Sequence, residues 1–151
     1  KQRRIEMGNR AVITTAPFNK SNIGVYVHWN GGQESIEGFL AACKQLGYRD
    51  PTGDGMARLA QAIGLFFGAE SDCSVGVDIC DRLDCDNGDN GVWLIGPDWT
   101  LAGRTNSVGD GPEAIVPLID AEDIAKRDAI TADILQLTAN AQRKWLTVKE
   151  A

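Results

Sequence analysis

The sequence contains little of the material from which most metal sites and catalytic sites are built. It has a single histidine, His28, and four cysteines in 151 residues. The cysteines follow the spacing C-x29-C-x6-C-x4-C, starting at Cys43. This spacing lacks the close pairs that bring two thiolates to one tetrahedral zinc ion. We therefore predict that the chain uses no metal and no other cofactor, and that folding needs none.

Several longer signals are also missing. No apolar run approaches the ~20 residues that span a bilayer, and no G-x-G-x-x-G or G-x4-G-K-[ST] phosphate-binding pattern occurs. Residues 1–10 are basic but have no apolar segment behind them, unlike a secretory signal. We expect a protein of the bacterial cytoplasm with no membrane partner. That setting disfavours a disulfide among Cys73, Cys80 and Cys85.

Acidic charge, by contrast, is abundant and concentrated. The chain has 21 Asp and Glu residues against 15 Lys and Arg, which gives a net charge of −6 and a pI near 4.7. Between Glu70 and Gly91 there are seven carboxylates and a single arginine, Arg82, so this segment carries as much net charge as the whole chain. Such a cluster can bind a cation, repel nucleic acid or imitate a phosphate backbone toward a basic partner.

Direct nucleic-acid binding is not expected for so acidic a chain, unless a basic N-terminal arm acts alone. The basic residues in question are Lys1, Arg3, Arg4 and Arg10.

Hydrophobic periodicity predicts the secondary structure. Alternating and β-branched segments at 11–15 and 23–29 predict a hairpin, and two amphipathic helices follow at 33–46 and 56–67. Strands at 74–80, 92–96 and 100–104 are expected to form a meander. The order ββααβββα predicts an α+β fold: an antiparallel sheet of about five strands with two helices packed on one face, plus a long C-terminal helix.

The domain organisation follows from the same pattern. We expect a basic N-terminal arm (1–9), an α+β core domain (10–105), a Gly-containing linker (106–119) and the C-terminal helix (120–151). That helix has Asp120 as its expected N-cap and an apolar stripe that runs from Ile130 to Val148. Because the stripe is longer than a small core can cover, we expect its exposed turns to contact a partner, such as a second copy of the chain.

The tandem sequence D86-N-G-D-N-G91 is the most conspicuous local pattern. Asn-Gly favours a tight I′-type turn, which explains the pattern without any function. A divalent-cation loop is an alternative, but an EF-hand frame that starts at Asp84 has Gly88 at position 5 and Ile95 at position 12, where ligands are needed. Recognition of a protein partner is the third interpretation.

The segment His28-Trp29-Asn30 ends the second predicted strand. A histidine there could act as a general base, and a tryptophan beside Asn and Gly is typical of a recognition surface. A hydrogen-bonded histidine and a core tryptophan would explain the same residues structurally.

Four segments carry a resemblance to other proteins: G8-N-R-A-V-I13, V25-Y-V-H-W-N-G-G32, the helix from Gly55 to Gly68, and D86-N-G-D-N-G-V92. In these the chain resembles a group of small proteins of phages and mobile elements of Gram-positive bacteria, over residues 8 to about 104. The group brings no established activity or catalytic residue. The resemblance implies only a context, since small acidic proteins of mobile elements often antagonise host defence.

We therefore expect a non-enzymatic binding protein that inhibits a nucleic-acid-handling defence complex, as anti-CRISPR proteins do, by occupying a basic groove. The expected contact residues are Asp78, Asp81, Asp84, Asp86, Asn87, Asp89 and Asn90, with His28, Trp29 and Asn30 beside them. The alternative is a small hydrolase or ligand-sequestering protein. It would use His28 with the loop of Asp84, Asp86 and Asp89.

Overall fold

The computed structural model describes residues 8–68 and 75–150, and its elements follow the predicted order. The α+β class is confirmed. Most of the basic arm (1–7) lies outside the described residues, as do Glu70, Asp72 and Cys73. The elements are β1 (Ala11–Thr15), β2 (Ile23–Val27), α1 (Gln33–Gln45), α2 (Met56–Phe67), β3 (Val75–Ile79), β4 (Val92–Ile95), β5 (Leu101–Thr105) and α3 (Ala121–Glu150).

The five strands form one sheet in the order β3-β2-β1-β4-β5. The predicted β1–β2 hairpin is confirmed, and β4 and β5 are also antiparallel. However, β1 and β4 run parallel, with Ile13 opposite Trp93, so the sheet is mixed and not purely antiparallel. The central position of β1 agrees with its sequence, because Ala11, Val12 and Ile13 are apolar on both faces and fully buried.

The predicted meander is wrong at β3. This strand pairs with β2, with Val25 opposite Val77, and forms the edge of the sheet. The pairings make β3 parallel to β4, with β2 and β1 between them. The chain must therefore cross the face of the sheet between residues 80 and 91 to begin β4 in the same direction.

The helices pack on the other face, where the main core lies. Residues Ile13 and Val25 of the sheet meet Phe39 and Leu40 of α1 and Ile63 of α2. The two predicted apolar stripes therefore face the core. Helix α1 ends in a Schellman turn, in which the amide of Gly47 donates to Lys44 O and that of Tyr48 donates to Cys43 O. Gly47 has φ = +68°, which a glycine adopts without strain.

Helix α3 is half packed and half exposed. Asp120 caps it as predicted, since Asp120 Oδ1 accepts from the amides of Glu122 and Asp123 at 2.8 and 3.3 Å. Ile130 and Ile134 belong to the main core, whereas every residue from 141 to 150 is exposed.

The close approach of α3 to α1 depends on Gly38. A Cβ atom at that position would lie 2.9 Å from Arg127 O and 3.0 Å from Ile130 Cβ. In addition, Thr131 Oγ1 donates to Gly38 O at 3.1 Å. Of the helices in the described residues, none combines the length and apolarity required to cross a membrane.

The two halves of α3 should respond differently to truncation of a side chain. We expect Ile134→Ala to lower the free energy of unfolding by about 2–5 kcal/mol, because it leaves a cavity in the core. Trp145 is 60% exposed, so Trp145→Ala should change stability by less than about 0.5 kcal/mol. Urea denaturation of both variants measures the difference. Equal effects would contradict the packing of α3 described above.

Candidate functional site

We call residues 80–91 the acidic crossover. Its inner side is apolar: Cys80 and Cys85 are 2% and 7% exposed and pack with Val12, Val92 and Leu94 on the sheet. Leu83 packs against the same cluster. The crossover lies close to β2 because residue 24 is glycine. A Cβ atom there would lie 2.9 Å from Leu83 Cδ1 and 3.1 Å from Cys80 Sγ.

The carboxylates of the crossover alternate with these buried residues and point away from the sheet. Asp81, Asp84 and Asp86 are exposed, which fits the cost of burying an unpaired charge. Asp78, at the end of β3, differs from them. Its carboxylate accepts from the amide of Ile79 at 2.7 Å and lies 4.0 Å from Arg82 Nη1.

Asn87 organises the end of the crossover. It is only 2% exposed. Its Oδ1 accepts from the amides of Asp89, Asn90 and Gly91 at 3.0 to 3.2 Å, and its Nδ2 donates to Asp84 O and Gly91 O at 3.0 Å. The side chain thus has its hydrogen bonds inside the loop and supports the surface from within.

The expected I′ turn is not formed. That turn needs a positive φ at two successive residues, but only Gly88 and Gly91 have one in the D86–G91 segment. The hydrogen bonds of the Asn87 side chain replace the turn, because a short amide can bond to nearby backbone groups and stabilise a different loop.

Arg10 and Asp89 form the central ion pair of this region. Asp89 Oδ2 accepts from Arg10 Nε at 2.8 Å and from the Arg10 amide at 3.0 Å. Asp84 Oδ2 lies 3.8 Å from Arg10 Nη1. The hydrogen bond from the Arg10 side chain lowers the pKa of Asp89. Sequence reasoning assigned Arg10 to a possible nucleic-acid contact, but here it neutralises part of the acidic crossover.

His28, Trp29 and Asn30 follow β2 at the same end of the sheet. The His28 carbonyl accepts from the amide of Asn9 at 2.9 Å, and Asn9 Oδ1 accepts from Asn90 Nδ2. The segment around Asn9 therefore lies between His28 and the crossover. The fold therefore brings His28 and the end of the crossover close together.

The side chains of this segment are held locally. His28 Nδ1 is 3.0 Å from the hydroxyl of Tyr26, and the Trp29 ring packs edge-on against His28 with a centroid distance of 5.1 Å. Trp29 is 37% exposed, so it is not a core residue. Asn30 adopts φ = +58°, and its Nδ2 donates to Ser35 Oγ at 3.2 Å.

Two shallow clefts border the crossover. One, of about 250 Å³, is lined by Cys80, Asp81, Asp84, Cys85 and Asp86, with Lys20 and Val108 on its other side. The second, of about 370 Å³, lies between the loop 86–91 and residues 104–113. Asp86 borders both clefts, so the acidic loop forms the wall between them.

The second cleft contains two carboxylates that sequence reasoning missed, Asp110 and Glu113. They lie in the segment interpreted as a linker. Glu113 is brought to the sheet by backbone pairing with Arg104, at 2.7 and 3.0 Å, and by an ion pair with the same residue at 3.0 Å. No local sequence signal marks this pairing, because it depends on the return path of the chain after β5.

The histidine and the acidic loop do not share a cleft. His28 lines neither of the two clefts, and the carboxylate of Asp89 is held by Arg10. Within residues 8–68 and 75–150, no three or more His, Cys, Asp or Glu side chains are arranged to hold a metal ion. Asp81 and Asp86 have no ion-pair partner within this part of the chain and face solvent.

No protein-family model matches the chain, and no significant match is found among curated proteins or solved structures. The resemblance to small proteins of phages and mobile elements stays a prediction.

The Arg10–Asp89 pair predicts a specific pH dependence. Because the folded-state pKa of Asp89 is lowered, its contribution to stability is present above the unfolded-state pKa of about 3.9 and is lost as pH falls through the folded-state value. We expect Asp89→Asn to be less stable than the unmodified chain at pH 7 and equally stable at low pH. Denaturation of both proteins between pH 7 and low pH measures the difference in their free energies of unfolding.

Asp86→Asn is the matched control, since it removes the same charge from a residue without an ion pair in the described chain. Its stability should follow that of the unmodified chain at each pH. A difference in stability between Asp89→Asn and the unmodified chain that does not change with pH would contradict the role of the ion pair.

Proposed function

We propose that this protein is a non-enzymatic binding protein that inhibits a host defence complex in the bacterial cytoplasm. In this proposal the acidic crossover occupies a basic surface that otherwise binds DNA or RNA, as in anti-CRISPR proteins. The supporting observation is the row of exposed carboxylates, Asp81, Asp84 and Asp86, on a segment fixed to the sheet by its buried inner side.

Rigidity matters for such mimicry. A phosphate backbone presents charges at fixed spacing, and a protein that imitates it avoids an entropic cost when its carboxylates are already in position. The hydrogen bonds of Asn87 fix the backbone of the crossover. The buried side chains of Cys80, Leu83 and Cys85 anchor it to the sheet. The expected neighbouring contacts are Trp29, which is partly exposed, and Asn90.

The side chains of Asp78, Asn87 and Asp89 make hydrogen bonds within the chain, so they are poor positions for a test of binding. The Asp84 carboxylate has only the longer ion pair of 3.8 Å with Arg10. The informative variant is Asp81→Asn/Asp84→Asn/Asp86→Asn. Its matched control is Glu122→Gln/Asp128→Asn/Asp133→Asn, which removes the same charge from exposed positions on α3. Comparing the two variants separates a local contact from an effect of net charge.

We expect the tagged unmodified chain to capture a nucleic-acid-binding complex from a bacterial lysate, and added DNA or RNA to displace the chain from it. The crossover variant should associate with the purified complex about tenfold more slowly at low salt and with a flatter salt dependence, because electrostatic steering is lost. The α3 variant should resemble the unmodified chain. Identical behaviour of both variants, or capture unaffected by nucleic acid, would refute the proposal.

We also propose that the exposed end of α3 contacts the same helix of a second copy. Over residues 141–150 the large apolar side chains Trp145, Leu146 and Val148 are 49% to 69% exposed. A two-fold contact would cover these residues on both copies at once.

Truncation after Asn140 tests this contact, because it keeps the buried residues Ile130, Ile134 and Thr138. We expect light scattering to give a concentration-dependent dimer for the full chain and a monomer for the truncated one, with the melting temperature of the monomer close to that of the full chain at low concentration. A full chain that is monomeric at every concentration would exclude the contact.

A further inference from the structure

Two thiols meet beneath the acidic crossover. Cys80 and Cys85 belong to the same buried cluster on this face of the sheet, and Cys85 Sγ donates to the carbonyl oxygen of Cys80 at 3.4 Å. Both are in the reduced state. Although each is largely buried, both line the cleft of about 250 Å³ that also contains Lys20 and Asp84. A small molecule in this cleft would therefore lie against both cysteine residues.

We propose that Cys80 and Cys85 form a modification site at which a hydroperoxide converts the dithiol into a disulfide. This inference does not depend on the proposed function. The sequence alone disfavoured a disulfide because of the expected compartment, but it could not show that these two residues pack in one cluster at one cleft. Hydrogen peroxide is small and uncharged, so the carboxylates around the cleft do not exclude it.

The two sulfur atoms have different roles. The hydrogen bond from Cys85 lowers the pKa of the Cys80 thiol, while the same contact raises the pKa of Cys85. Cys85 Sγ is also the donor of the hydrogen bond to Cys80 O, so Cys85 carries its proton. Since the thiolate is the nucleophile in such reactions, Cys80 attacks first. Cys43 provides the contrast, because burial raises the pKa of its thiol to about 12 and it is fully enclosed in the main core.

The reaction has two steps. The Cys80 thiolate attacks one oxygen of hydrogen peroxide, the O–O bond breaks, and Cys80 becomes a sulfenic acid while hydroxide leaves. The Cys85 sulfur then attacks Cys80 Sγ, the S–O bond breaks, and the oxygen leaves as water with the Cys85 proton. Overall two thiols are oxidised and one peroxide is reduced to water. A small thiol such as dithiothreitol reverses the change by thiol–disulfide exchange.

The position of Arg82 makes the bond easy to detect. Trypsin cleaves after Arg82, which places Cys80 in the peptide 59–82 and Cys85 in the peptide 83–104. The peptide 59–82 also contains Cys73, so the experiment is done on the Cys73→Ser variant. Its controls are the same variant carrying either Cys80→Ser or Cys85→Ser, with folding checked by circular dichroism.

After treatment with hydrogen peroxide and alkylation, we expect the two peptides of the Cys73→Ser variant to be joined, and dithiothreitol to separate them. Each control should lose the joined species, and the Cys85→Ser control should accumulate sulfenic acid on Cys80. The unmodified full chain should give the same joined peptides. Two alkylated, separate peptides after oxidation of the Cys73→Ser variant would overturn the proposal, as would a joined species in the Cys80→Ser control.

Discussion

The constraint on which the candidate surface depends is the path from β3 to β4. These strands are parallel and have two other strands between them, so the connection has to cross the sheet face that the helices leave open. A segment that crosses a sheet needs an apolar underside and a polar outer side. Cys80, Leu83 and Cys85 provide the first, and the intervening aspartates provide the second. The acidity of residues 80–91 is thus tied to their position in the fold.

The same path divides the carboxylates into two kinds. Asp89 is part of the structure, because Arg10 binds it at the end of the sheet where β1 begins. Asp81, Asp84 and Asp86 are fixed in place by the backbone around them but have weak or no ion-pair partners in the described part of the chain. Like charges so close together repel each other, and a partner with a basic surface would relieve this repulsion on binding. Of the five carboxylates of the acidic run that the structure describes, these three are the ones that would contribute to the binding proposed above.

Features that depend on residues close together in the sequence were predicted correctly, whereas features that join distant parts of the chain were not. The order of elements, the β1–β2 hairpin, the core faces of α1 and α2 and the Asp120 cap depend on neighbours within a few residues, and they are confirmed. The pairing of β3 with β2 and the ion pair between Arg10 and Asp89 join distant parts of the chain, and no local pattern contains them. The I′ turn predicted at Asn87-Gly88 is not formed, for a related reason. The side chain of Asn87 bonds to the loop that returns to it, and the sequence does not show how closely that loop closes.

The sheet lies between the acidic crossover and helix α3, the two parts of the chain for which we propose contacts. The acidic crossover covers one face, while α3 packs on the helices that cover the other. A contact between two copies through the exposed end of α3 would therefore leave both acidic crossovers accessible. Two such surfaces on one assembly would bind a partner that offers two sites with an effective concentration set by their separation, which would strengthen binding without any new contact. In the proposed assembly the exposed end of α3 would set the number of copies, and the acidic crossover would make the contact with the partner.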